Sequence, residues 1–447
     1  MQIEKAAEFC LDGEIGQLRA VTVYINGKSY ILTIHSSEFD VDPYYDMFYF
    51  PKDTLKMTLF DLSGRMVWQK DLGRSVVPGM WFCPVLAFDL DGDGRDEIWF
   101  VNNISPSHPL SLSHYRLERL DPETGETSGR WDWPHEGGYD QAVTFAFRNF
   151  LACGYVHGEP VLVTAQGTYN DMYLQGWNRD MKTRFAIKID AEDGPRGSHR
   201  SPVLDINQDG ADEIMWGEHC ISLDTGAEIF CADRKVYHGH SDMIAPIWNE
   251  KEQRWYLYTA RESDPQAVPR VILFDDRGRR VWGDLDHGHM DMSWAARVGD
   301  EREPIVMSIR IGAKTCGPEG RFHQACEEFV YRAMSGESIT LPFSVYGTLP
   351  VDVNGDGRHE FFGNGKLVDA AGNVLAEPGG KAALLQKVSD WPGEQILCWY
   401  PDGKLILWTD TDAVDTEIAA WRYASPFYQT NKRLTSTGDH LEILGGI

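Results

Sequence analysis

The sequence predicts an all-β fold, a β-propeller of eight blades with seven as the alternative count, and three observations lead there. First, one nine-residue pattern occurs three times: Asp89, Asp91, Asp93 and Glu97; Asp205, Asn207, Asp209 and Glu213; Asp352, Asn354, Asp356 and Glu360. Second, hairpins of the form strand, Asp-x-x-Gly, strand recur along the chain, a turn chemistry that tolerates left-handed backbone. Third, no long stretch of the 447 residues sustains helical periodicity.

The units begin near Glu14, Gly79, Gly137, Gly197, Gly239, Gly288, Tyr346 and Lys381, a spacing of about fifty residues, as a four-stranded blade requires. Their late hairpins fall near Asp61, Asp121, Asp190, Asp224, Asp275, Gly336 and Asp369, and the last unit keeps the hairpin ILCWYPDGKLILW and a strand around Ala419–Tyr423. Two β-sandwiches would not carry markers along the whole chain, and a β-helix needs shorter coils. One propeller domain spanning 1–447 is therefore expected.

Each nine-residue loop puts oxygen side chains at alternate positions, a glycine sixth and a carboxylate ninth, the layout of a compact Ca²⁺ loop. Because the loops lie between strands, structural calcium is the expected cofactor; the alternative is a solvated Asp-Gly turn without metal. The formal charge of −26 argues against nucleic acid or an anionic membrane as partner. The N-terminal MQIEKAAEFCLDGEIG has no apolar leader, so the chain as numbered is expected to be cytoplasmic, or secreted or periplasmic if it was trimmed. Among eight cysteines, Cys220 with Cys231 and Cys316 with Cys326 are the pairs spaced for disulfides, and free thiols are the expectation without a leader.

The first residues of each innermost strand stand at the channel mouth, so equivalent positions in successive blades converge. His199, His240 and His289 share one slot, the last two within H-G-H-x-D-M, and Tyr139 and Tyr346 flank them. Three histidines in one slot suit a shared site. Neutral imidazoles beside Asp242 and Asp291 would hold one further divalent metal, whereas protonated ones would neutralise a substrate carboxylate. Isolated histidines such as His238 and His287 are read as structural.

A second group, Tyr169, Tyr173, Trp177, Arg179, Lys182 and Arg184, followed by Arg196 and Arg200, is locally basic and aromatic in an acidic protein. It suits a uronate and a sugar face, with a solvated hairpin tip as the plain alternative. His114 and His135 lie on loops entering this blade; His108, His157 and Arg310 are weaker positions. No G-x-x-x-x-G-K-[ST], H-E-x-x-H or G-x-S-x-G occurs, which sets aside kinase, zincin and α/β-hydrolase chemistry.

GSHRSPVLDINQDGADEI resembles the "G-N-H, apolar run, D-x-D-G-D-G-K-D-E-I" blades of the propeller rhamnogalacturonan lyases, GHSDMIAPIW resembles their G-H-G-D blade, and AAWRYASPFYQTNKRL is similar to their W-R-N-x-x-Y-N-Q end. Propeller ulvan lyases and rhamnose–glucuronate lyases are similar too. The resemblance implies a polysaccharide or oligosaccharide lyase that cleaves a rhamnose–uronate linkage by β-elimination, acting as a monomer on an acidic rhamnose-containing glycan. It places the carboxylate clamp on Arg184, Arg200 or His240 and the base or acid on Tyr173, His135 or His199, with Tyr139, Tyr169, Trp177, Arg179, Tyr346, Arg310 and His114 binding substrate. Larger family members carry more calcium loops and an added N-terminal domain; a chain without a leader suits imported oligosaccharides. The alternatives are a glycoside hydrolase on the same glycan class, which needs two facing carboxylates, and a non-catalytic calcium-dependent carbohydrate- or protein-binding propeller.

Overall fold

The computed structural model describes every residue except 135–142, 265, 318–319, 324–325, 439–440 and 442. Eight four-stranded antiparallel sheets form a ring of blades. In chain order they span residues 17–71, 85–132, 149–189, 203–231, 241–284, 289–339, 348–376 and 381–410. The eighth blade is completed by the N-terminal strand Ile3–Cys10, which pairs with Lys404–Asp410 and so ties the two ends of the ring together. The sixth blade carries an inserted hairpin, Lys314–Gly317 with Gly320–His323.

Sequence pattern explains the layering. Innermost strands such as Ser241–Asn249 are buried almost throughout, because neighbouring blades cover both faces, whereas outer strands such as Met66–Asp71 alternate. Turns that open on an aspartate and contain a glycine join third to fourth strands at Asp61, Asp121, Asp224, Asp275 and Asp369, and the turn containing Gly336 does the same. At the first of these, the Asp61 carboxylate accepts the N–H groups of Ser63 and Arg65 while Gly64 turns left-handed at φ 90°.

Two expectations are corrected. Asp190 follows the fourth strand of the third blade, whose late hairpin instead turns between Trp177 and Thr183. Ala419–Tyr423 belongs to a helix, Glu417–Ala424, whose first turn is capped by Thr416 accepting from the Ala419 N–H. Cys220 and Cys231 are free, as expected. Cys220 stands opposite Phe230 and Cys231 opposite His219, so the two thiols occupy adjacent register positions that point to opposite sheet faces. Cys326 is free as well, while the Cys316 side chain lies outside the described residues.

After the last blade the chain folds across one mouth of the channel. Helices Glu417–Ala424 and Pro426–Asn431 lead into short turns that bind the innermost strands. Thr435 and Ser436 donate to the carbonyls of Ala20 and Val85, Asn431 donates to Val203, and Arg433 pairs with Asp96 at 2.6 Å. Gly445 and Gly446 press so closely on Ala295 and Pro246 that a Cβ would meet their carbonyl oxygens at 1.9 and 1.8 Å. The opposite mouth is left for a site. No helix among the described residues is long and apolar enough to cross a membrane.

Candidate functional site

The innermost strands of blades two to six begin at the open mouth, and the side chains at their starts define its floor. Trp81 and His199 each lie four residues before their strands; Arg148 and His240 immediately precede theirs; His289 opens the sixth. Loops joining second to third strands return to the same mouth and bring Asp40, Asp42, Tyr44 and Tyr45 from blade one, Tyr169 from blade three and Glu262 from blade five. Together these residues, except the fully buried His240 beneath them, line a cavity of about 1330 Å³.

Glu262 is its centre. One carboxylate oxygen accepts from Tyr169 Oη at 2.7 Å and lies 3.3 Å from His199 Nε2 and 3.7 Å from His240 Nε2, while the other lies 3.2 Å from His289 Nε2. Burial alone would raise this carboxyl, but its contacts with His199 and His289 hold it well below the usual range. Tyr169 stacks on His240 with centroids 3.9 Å apart, and its backbone sits left-handed at φ 69°, pinned by the Tyr169 N–H to the Arg196 carbonyl at 3.0 Å. A tyrosine in that region costs about 1–3 kcal/mol.

His240 is fully buried. Its backbone N–H donates to Ser263 Oγ at 2.6 Å, and Nδ1 meets the Arg196 carbonyl at 3.0 Å, which fixes the proton on that nitrogen. Burial, then the neighbouring His199, push its pKa well below the usual value, so the ring is neutral. Its Nε2 lone pair therefore faces the Glu262 carboxylate without a hydrogen-bond donor. The ligand atoms of His199, His240 and Glu262 all lie within 4.8 Å of one another, a two-imidazole, one-carboxylate set that fits a divalent cation.

Arg148 was not among the sequence candidates. It is 2% exposed, lies over the rings of Trp81 and Tyr169 at 5.3 and 5.2 Å, and reaches Asp42 at 3.4 Å through one terminal nitrogen. Its Nε and Nη1 have no hydrogen-bond partner among the described residues. Asp242, pushed up to about 7 by burial against the pull of Arg200, pairs with Arg200 at 3.0 Å.

The structure thus brings together Tyr169, His199, His240 and His289, with Arg196, Asp242 and Asp291 on the cavity wall. His135 and Tyr139 lie outside the described residues. Tyr173, Trp177, Arg179 and Arg184 sit on the third and fourth strands of blade three and its hairpin tip, away from the channel lining. There Trp177 donates to Thr164, Arg179 pairs with Glu159 at 2.6 Å and Arg184 pairs with Asp224. His114 bonds Ser111 at 2.7 Å on a short turn, Arg310 pairs with Glu327, and Tyr346 lies on the loop between blades six and seven; none of them lines the cavity.

The nine-residue loops follow the innermost strands of blades two, four and seven and so sit at the plugged mouth. All three share one geometry. The first carboxylate accepts the N–H groups four and five residues on, as from Asp93 and Gly94 to Asp89 at 3.1 and 2.9 Å, and the closing glutamate accepts from the residue after the first aspartate, as from Leu90 to Glu97 at 2.9 Å. Glu213 accepts in the same way from Ile206 and Glu360 from Val353, each at 3.0 Å. Burial and neighbouring aspartates push Glu97 and Glu213 up to about 8 and Glu360 to about 9. Crowded oxygen-only donors fit Ca²⁺, and in the first loop the ligand atoms of Asp89, Asp91 and Asp93 already lie within 4.8 Å of one another.

No family model matches the chain. Among curated proteins, the rhamnogalacturonan exolyase YesX of Bacillus subtilis is 27% identical over 196 residues, and the rhamnogalacturonan endolyase YesW of the same organism 23% over 205; each alignment covers 37% of this chain and 32% of the relative. Among solved structures, the exotype rhamnogalacturonan lyase YesX superposes with a TM-score of 0.78 at 19% identity, covering 96% of this chain and 80% of that one. The rhamnogalacturonan lyase PL11 of Bacillus licheniformis gives 0.80 at 17%, covering 98% and 81%. This chain resembles the propeller rhamnogalacturonan lyases. At these identities the superpositions establish a shared fold, and the aligned sequence spans about a third of each curated relative.

Proposed function

We propose that the protein is a polysaccharide or oligosaccharide lyase that cleaves a rhamnose–uronate linkage by β-elimination. The observation that carries this reading is the Glu262-centred cluster of imidazoles beside the partly unpaired Arg148, inside a cavity large enough for several sugar units. Elimination needs a neutralised uronate carboxylate, a base for the C5 proton and an acid for the leaving oxygen, and the cavity offers one group for each.

Arg148, packed over Trp81 and Tyr169 beneath the cavity, supplies positive charge for the substrate carboxylate, in a dry setting where such attraction is strong. Glu262 lies 3.2 Å from the buried Nε2 of His289, whose side chain is 35% exposed and lines the cavity, which leaves Nδ1 as the nitrogen free to act as base. Nδ1 takes the C5 proton, the electrons of that C–H bond form the C4–C5 double bond, the C4–O4 bond breaks, and His199 protonates the departing O4. Glu262 stabilises the imidazolium that forms. In place of the acid role of His199, a divalent ion held by His199, His240 and Glu262 would supply positive charge for the substrate carboxylate. Calcium in the three loops is structural, because the loops lie at the opposite mouth.

The test is ultraviolet absorbance on rhamnogalacturonan, ulvan and gum arabic, with and without chelator. A rise from the conjugated uronate supports the reading. Reducing ends without absorbance would replace it with hydrolysis.

A further inference from the structure

The loop joining the second and third strands of blade one, residues 37–55, carries features that the cleft chemistry does not use. Phe39, Tyr44, Tyr45, Phe48, Tyr49 and Phe50 are each at least 41% exposed, and Phe48 reaches 75%. So dense a run of open rings marks a binding surface rather than ordinary surface scatter. The backbone beneath them is tied down. Asp42 accepts the N–H groups of Tyr44 and Tyr45 at 2.6 and 3.3 Å, Glu38 accepts from the Lys52 N–H at 3.1 Å and Tyr49 Oη at 2.9 Å, and Gln17 donates to the Phe39 carbonyl at 2.7 Å.

Tyr44 and Tyr45 line the main cavity, and Phe50 lines a second cleft of about 250 Å³ with Pro51, Arg74, His108 and Pro109. Phe50 meets the His108 ring edge-on at 5.5 Å. Phe50 lies six positions after Tyr44, so their backbones stand at most about 20 Å apart, a span that a short oligosaccharide bridges. Arg74 is exposed and makes no ion pair among the described residues, in a chain with 68 acidic and 42 basic side chains. The acid beside it, Asp53, is already bound to Lys56 at 2.6 Å. An uncommitted guanidinium among aromatic and proline walls recognises a carboxylated sugar.

We propose that this second cleft is a distal glycan subsite, in which Arg74 pairs with a uronate carboxylate and Phe50 supports a pyranose face, with Tyr44 and Tyr45 carrying the chain from the cavity. The assignment rests on the reading of the main cavity as a glycan site.

The experiment measures Kd by calorimetry, in the Glu262→Gln background, for rhamnose–galacturonate oligosaccharides of graded length, with and without Arg74→Gln and Phe50→Ala; turnover is followed separately in the otherwise unaltered enzyme. Affinity is expected to rise with length, and either substitution to weaken the long chains by about tenfold, as loss of one charge-assisted or stacking contact does, so that length dependence flattens. An unchanged length dependence in both variants overturns the subsite, as does the absence of glycan binding at any length. Equal affinity for carboxyl-reduced long chains overturns the uronate assignment. Elimination with unaltered length dependence sinks the subsite alone. Length-dependent binding lost in the variants, without unsaturated product from the parent, sinks the elimination reading and keeps the subsite.

Discussion

Tyr169 and Glu262 come from equivalent loops two blades apart, and the phenol of the first donates to the carboxylate of the second at 2.7 Å. Neither residue lies on an innermost strand. Their contact closes the side of the cavity where His199 and His240 meet, and it gives Glu262 a donor beside the histidines. The histidine contacts, His199 and His289 first, keep that carboxylate ionised despite its burial.

Glu262→Gln is expected to keep the fold and to lower kcat by about 10²-fold or more, because the amide cannot stabilise an imidazolium; His289→Ala should lose a similar factor, within the usual 10²–10⁴ range for a general base. Steady-state rates with circular dichroism on the same samples check both.

Arg148→Ala should raise KM and lower kcat together for uronate-bearing chains, since the anchor acts on the charge that the reaction develops. Carboxyl-reduced glycan should not distinguish the variant from the parent in binding. Equal losses on both glycans would remove Arg148 from the site.

Removal of calcium by a chelator should lower Tm by several degrees or more, and restoring Ca²⁺ should recover it, because the Glu97, Glu213 and Glu360 carboxyls crowd other acids in the loops. Asp205→Ala should reduce the size of that shift. Scanning calorimetry in both states reads it.

Lys432 donates to Tyr24 Oη at 2.8 Å in a buried niche, where burial and then the charge of Arg433 lower its pKa from 10.5 to about 7. Between those values the unfolded chain holds a proton that the folded chain has shed. This group's contribution to stability therefore rises with pH across that window and is lost as pH falls through 7. Lys432→Met should flatten the rise, as denaturant titrations at several pH values would show.

At the plugged mouth, Arg422 and Glu394 pair at 2.9 Å with both side chains 1% exposed, and Tyr428 Oη adds a bond to the same carboxylate at 2.6 Å. Arg422→Met leaves that acid buried without its charge partner and should cost about 3–5 kcal/mol, read as a shift in urea midpoint.

The ring was legible because each blade repeats a turn whose chemistry is local: Asp61, Asp224 and Asp369 announce hairpins on their own. The closing strand was not, since Ile3–Cys10 pairs with residues about four hundred positions away and carries no turn marker. Histidines at the strand starts were legible by repeat position. Arg148 was missed because the third blade begins at Asn149 rather than near Gly137, which shifted the slot onto Tyr139. Glu262 was missed for a different reason. It lies on a return loop, and only the closure of the ring brings that loop over the histidines. The helix at Glu417–Ala424 was read as a strand because its aromatic residues fit either period, and the Thr416 cap is the signal that separates them.

The most direct test of elimination at this cavity is turnover of rhamnogalacturonan in water enriched in heavy oxygen, with the products weighed by mass spectrometry. The account predicts a product bearing an unsaturated uronate, no solvent oxygen in either fragment beyond the anomeric exchange of a control reducing sugar, and loss of the unsaturated product in Glu262→Gln. Heavy oxygen at the new reducing end beyond that exchange would contradict it, as would unsaturated product formed at an undiminished rate by that variant.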